Sequence, residues 1–186
     1  MTDDIRVIAF TGLPGTGKST LAECLAREIG APVFNGDWLM GALKPAHQAL
    51  SNLDQSTYLA MYYNLIETLI TRQLMFGQSA VIDDILDDQV ATRWQELARS
   101  NSAELYIIEC TCTNRAEHRK RLEGRQRGIP GWHEIGWDHV ERMSAQYPPL
   151  TIDRLVVDAM EPVPHNIHRV HAYISSAQSK APMPGH

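Results

Sequence analysis

At 186 residues and 20.9 kDa, the chain has the length of one domain, or of one domain with an inserted lid. Its 44% hydrophobic and 21% charged residues exclude a disordered chain, and its net charge of −5 disfavours a dedicated duplex nucleic-acid binder. No apolar run approaches the ~20 residues that span a bilayer, the start Met-Thr-Asp-Asp-Ile lacks the basic region of a signal peptide, and the three cysteines (Cys24, Cys110, Cys112) cannot make a disulfide framework; a cytoplasmic location is expected.

Residues 5–11 read as a buried strand, followed by a glycine-rich turn and a helix from Lys18 to Ile29 with Gly30 at its stop. A short strand covers 32–35, and Gly36-Asp37 opens a short helix. The longest helix is predicted over 54–76, with Tyr58, Met61, Tyr62, Leu65, Leu69 and Phe76 as its apolar stripe. Ala80–Ile82 is a third strand, closed by Asp83-Asp84, and a helix runs from about Asp88 to Arg99. Leu105–Cys110 is a fourth strand, and Asn114–Glu123 a basic helix. Five glycines and prolines over 124–136 predict a mobile loop. A helix over 137–146, a strand over Leu155–Asp158 and a helix over 163–176 complete the chain before a tail from Gln178. Alternating strands and helices imply a parallel sheet covered on both faces, with ligands beyond the carboxyl ends of its strands. The expected organisation is one domain over 1–177, a lid at about 121–137 and a flexible tail over 178–186.

The run Gly12-Leu-Pro14-Gly15-Thr16-Gly17-Lys18-Ser19-Thr20 matches G-x-x-x-x-G-K-[ST] in full, between a strand and a helix. Its glycines let the backbone wrap a phosphate with N–H groups inward, and the helix start adds partial positive charge. Lys18 can reach the β- and γ-phosphates, and the Ser19 hydroxyl can bind Mg²⁺. A carboxylate near the metal is expected at a neighbouring strand end, and Asp83 or Asp84 supplies it. Asp83 is preferred because it directly follows the apolar run.

Charge is unevenly placed. Residues 114–128 hold six bases and two acids, whereas 83–88 hold four aspartates and no base. Arg125 sits where the basic helix meets the loop, the place for an arginine that neutralises a migrating phosphoryl group. Arg115 and Lys120 read as a solvated helix face. Asp37, in Asn35-Gly-Asp37-Trp38, can orient or deprotonate an attacking hydroxyl, or can cap a helix beginning at Trp38. The Cys110/Cys112 pair lacks a partner pair for zinc, and His165, His168 and His171 drift around their helix, so neither is read as a metal site.

The phosphate loop, Asp37, Val81-Ile82-Asp83 and the lid's Arg121-Leu-Glu-Gly-Arg125 resemble the P-loop small-molecule kinases over about residues 5–176. That group includes adenylate, shikimate and gluconate kinases, chloramphenicol phosphotransferase and the AAA-type kinase domain of polynucleotide kinase. The resemblance implies a three-layer α/β fold with five parallel strands and the phosphate-loop strand in the middle. It also implies that Arg121 packs on adenine, that Arg125 contacts phosphate, and that Asp37 serves the acceptor hydroxyl. The chain lacks an adenosine-monophosphate pocket pattern and the shikimate and gluconate motifs. Asp37, Trp38, the Tyr58–Tyr62 helix and the Asp84–Asp88 loop are expected to build the acceptor site, with Asp37, Trp38, Tyr62 and Asp84 as its contacts. The expected activity is ATP- and Mg²⁺-dependent phosphorylation of a small-molecule hydroxyl. A polynucleotide 5′-hydroxyl kinase and a nucleotide-dependent switch are the alternatives.

Overall fold

The computed structural model describes residues 5–146 and 148–178. The expected tail therefore lies, Gln178 apart, outside the described residues. Five strands form one sheet: β1 (Arg6–Thr11), β2 (Val33–Asn35), β3 (Ala80–Asp83), β4 (Glu104–Thr111) and β5 (Leu155–Asp158). They are parallel and ordered β2-β3-β1-β4-β5, so the strand preceding the phosphate loop is central, as the resemblance implied.

Strand periodicity divides the core. Val7, Ala9, Ile82 and Ile107 face one side and pack with α4 (Gln55–Met75) and α5 (Asp88–Ser100). Ile8, Phe10, Val81, Ile108 and Val157 face the other and pack with α1 (Lys18–Ile29) and α8 (Val163–Gln178). A central strand is covered on both faces, which is why Val7–Phe10 is continuously apolar rather than alternating. The remaining helices are α2 (Gly36–Ala42), α3 (His47–Leu50), α6 (Arg115–Glu123) and α7 (Trp137–Gln146), with a 3₁₀ turn at Lys44–Ala46.

Two expectations need correction. The buried stripe of α4 is Ile66, Ile70 and Leu74, and Phe76 is exposed at its end, beneath the Arg72 guanidinium. This helix is apolar around much of its circumference, so spacing alone did not choose the buried face. The helix at Asp37 starts one residue after Asn35, and Asn35 is its cap. The Asn35 side chain accepts from the backbone N–H groups of Asp37 (2.9 Å) and Trp38 (3.3 Å). Asp37 is therefore not the cap, and its carboxylate is available for other work. The turns at 44–50 were not anticipated.

Candidate active site

The phosphate loop leaves β1 and enters α1 beyond the carboxyl end of the sheet. Gly12, Gly15 and Gly17 all have positive φ (131°, 91° and 84°), which only glycine adopts without strain. The Leu13 carbonyl anchors the loop by accepting from the Thr16 hydroxyl (2.8 Å) and the Lys18 ammonium (3.1 Å). Burial pushes the Lys18 pKa down, opposed by the nearby Asp83 charge.

Of the spaces that meet at this loop, two hold most of the expected site residues. The first is a cleft of about 380 Å³ lined by Gly15–Leu21, Arg121, Arg125, Arg127, Ala159 and Asn166. Arg121 is held at its side, donating to the Ala159 carbonyl (2.7 Å) and pairing with Glu117. The second is a chamber of about 80 Å³ in which Lys18 and Ser19 face Asp37, Asp83 and Asp84, with Tyr62, Arg125 and Arg127 closing it. Of the residues expected in the acceptor site, Asp37, Tyr62 and Asp84 are thus brought together. Trp38 is 54% exposed and lines a neighbouring cleft of about 370 Å³ beside Ser19, Asn35 and Asp83. Asp87 and Asp88 are spent elsewhere: the first caps α5 through Val90, and the second accepts from Thr151.

The two adjacent aspartates at the end of β3 differ. Asp83 accepts from the Asn35 amide (2.7 Å) through one oxygen, while its other oxygen is buried without a partner. Asp84 accepts from the Tyr62 hydroxyl (2.8 Å) and the Ile85 N–H (2.7 Å). Burial raises its pKa to about 7, with the Asp83 and Asp37 charges adding to the rise. Tyr62 reaches Asp84 only because residue 36 is glycine: a Cβ there would lie 1.7 Å from the Tyr62 hydroxyl oxygen.

The segment that follows α6 supplies two arginines with buried nitrogens that lack a partner. Nε and one terminal nitrogen of both Arg125 and Arg127 are buried and unpaired. Arg125 was expected on the site; Arg127 was not singled out. Arg127 pairs with Asp37 (2.6 Å) and lines both spaces and the Trp38 cleft. Arg115 and Arg119 instead make exposed pairs with Glu141 and Glu123, as a solvated face should. Asn35 was also missed as a site residue. Its place between a strand and a helix was visible, but its hydrogen bond to a residue 48 positions away was not.

Comparison with known proteins bears on the family and the fold. The family model described as "AAA domain" matches residues 7–150. The chain belongs to the AAA-domain family. No curated protein matches it. Its fold is that of P-loop kinases, seen in several solved structures. An unliganded sugar kinase from Janibacter sp. HTCC2649 is 17% identical, with a TM-score of 0.69 over 96% of this chain and 99% of that one. A gluconokinase from Sinorhizobium meliloti 1021 is 14% identical, with a TM-score of 0.65 over 95% and 98%. Chaetomium thermophilum Kti12, solved with ADP-AlF3, is 12% identical, with a TM-score of 0.66 over 90% and 98%. Likeness at these identities establishes the fold of this AAA-domain chain. No helix among the described residues is long and apolar enough to cross a membrane.

Proposed function

We propose that this chain is an ATP- and Mg²⁺-dependent kinase that transfers the γ-phosphate to a hydroxyl of a small molecule. One observation carries the reading. The small chamber joins the phosphate-loop cation Lys18, two incompletely paired lid arginines and three carboxylates around one point. Phosphoryl transfer needs this combination, because its catalysis is positioning plus neutralisation of charge on the moving group.

Gly12, Pro14–Thr20, Arg121 and Arg125 hold the nucleotide, with Arg121 toward the base and the buried, unpaired donors of Arg125 toward phosphate. The metal site is Ser19 with Asp83. The unpaired buried Asp83 oxygen suits it. Mg²⁺ is commonly held by one or two carboxylates together with phosphate oxygens, and when bound it neutralises those oxygens. Asp37 orients the acceptor hydroxyl. The hydroxyl oxygen bonds to the γ-phosphorus, the bond to the bridging oxygen of ADP breaks, and the proton passes to Asp37. Arg127 shares the Asp37 carboxylate until the acceptor arrives. Tyr62, Asp84 and Trp38 contribute to the acceptor side. In this reading the working unit is one domain over 1–177 with a lid at about 121–137, acting in the cytoplasm on a small-molecule acceptor rather than a nucleic acid.

The test is ADP release from Mg-ATP in the presence of aminoglycosides, nucleosides, sugars and amino alcohols, with the product identified by mass spectrometry. The expected result is release stimulated by one acceptor class and a phosphorylated product. Slow release unaffected by any acceptor would sink the kinase reading and favour a nucleotide-dependent switch.

A further inference from the structure

We propose that His118 is a positioning residue of the phosphate loop: its ring holds the Pro14 carbonyl outward and thereby aims the Gly15 N–H into the phosphate cradle. This rests on reading the loop as a nucleotide site.

His118 lies on α6 and is only 6% exposed. Its Nε2 stands 2.8 Å from the Pro14 carbonyl oxygen, across 104 positions of sequence. A carbonyl only accepts, so Nε2 carries the proton and donates. The Pro14–Gly15 peptide is planar, and a trans peptide points its C=O and N–H in opposite directions. A carbonyl tied to α6 behind the loop therefore turns the Gly15 N–H to the opposite side, where Gly15 lines the nucleotide cleft. Glycine is soft about its own bonds, and Gly15 at φ 91° has no side chain to fix its peptide. From inside the loop the Leu13 carbonyl closes the turn by accepting from Thr16, and from outside it His118 adds a tie to the Pro14 carbonyl itself.

The ring is itself immobilised. It packs edge-on against Trp137, with centroids 5.1 Å apart and planes at 87°. Trp137 belongs to a small apolar cluster with Leu122 and Val140, against which Leu13 of the phosphate loop also packs. On the other side the ring abuts Gly15: a Cβ there would come within 3.2 Å of two ring atoms. Leu122 is on α6, which leads into the lid, and Trp137 opens α7 on the lid's far side. The phosphate loop and both roots of the lid therefore converge on one imidazole.

The experiment is titration of Mg-ADP into the full chain by calorimetry, with the melting temperature of each variant as control. His118→Phe keeps a ring on Trp137 and removes the donor; His118→Gln keeps an amide donor. The expected result is nucleotide binding roughly five- to tenfold weaker in His118→Phe, the size of one lost hydrogen bond, at near-normal melting, and affinity restored to within about twofold in His118→Gln. Equal affinity in wild type and both variants would reduce His118 to packing. Should His118→Phe not fold, the wild-type chain decides. Nitrogen NMR of the ring should show a proton on Nε2 and a shift on adding Mg-ADP; a proton on Nδ1 alone would overturn the proposal. If the wild-type chain binds no nucleotide, as a Lys18→Ala chain is expected to bind little, the phosphate-loop reading itself fails. That outcome differs from the selective failure of the histidine.

Discussion

Asp37 is freed from helix capping by its neighbour Asn35 and is paired instead with Arg127. Asp37→Asn therefore leaves the start of α2 intact while removing the charge that faces the chamber. Transfer should fall by the ~10²–10⁴-fold that a general base contributes, with nucleotide affinity and melting close to normal. Retained turnover would move the base elsewhere. Asp84 makes a second prediction, through pH. Its pKa in the folded chain is about 7 against an ordinary 3.8, because burial disfavours its charge. The folded state thus binds the proton more tightly than the unfolded state. Its contribution to stability is full below about pH 4 and is lost as pH rises through 7. Asp84→Asn is neutral at every pH and can still accept from Tyr62. Urea unfolding at pH 5 and pH 8 should show this variant losing roughly 2–3 kcal/mol less across the interval than the wild type does. Equal losses would mean that Asp84 is ionised in the folded chain at pH 5. In the sequence either Asp83 or Asp84 could serve the metal, with Asp83 preferred, and Asp84 falls on the acceptor side. Their difference arises from what the pleat presents to each, Asn35 to one and Tyr62 to the other, and a sequence does not display such contacts.

At the scale of elements, the 124–136 segment proposed as the lid meets α2 backbone to backbone. A Cβ on Gly41 would lie 2.4 Å from the Pro130 carbonyl oxygen, and one on Gly131 would lie 2.3 Å from the Gly41 carbonyl oxygen. Ile129 is buried at the same junction. Gly41→Ala should therefore unseat the lid at a cost of about 1–3 kcal/mol, the usual range for overpacking. Faster proteolysis within 124–136 and a fall in turnover larger than the loss of nucleotide affinity are expected. Unchanged proteolysis and turnover would mean that the lid works without this seat. The glycine-rich composition announced a loop at 124–136 and Arg125 at its root. It did not announce that the loop docks on α2, because nothing local to either segment encodes a close approach between them. The same distinction explains α4. Its length, its Asp54 cap and its end at Phe76-Gly77 follow from local chemistry, whereas the sheet selected Ile66, Ile70 and Leu74 for burial.

Across the whole molecule, nucleotide binding should be linked to unfolding. A ligand at 100 times its dissociation constant stabilises the native state by about 2.7 kcal/mol, which in a chain of this size raises the melting temperature by roughly 5–10 °C. A Mg-bound ATP analogue should produce this rise in the wild type, and Lys18→Ala should lose most of it. The same rise in both would show that binding does not use the phosphate loop.

The three-layer fold and the phosphate loop were determined by the sequence alone, because both are written at short range. Strand alternation, caps and the Gly12–Thr20 run need no knowledge of distant residues. Tertiary structure alone decided how the site is wired. Asn35 joins Asp83 across 48 positions, His118 joins Pro14 across 104, and Arg127 crosses from the lid to Asp37. Each link depends on where the sheet order and the lid place two backbones in space, and a polar side chain shows its chemistry in the sequence but not its partner.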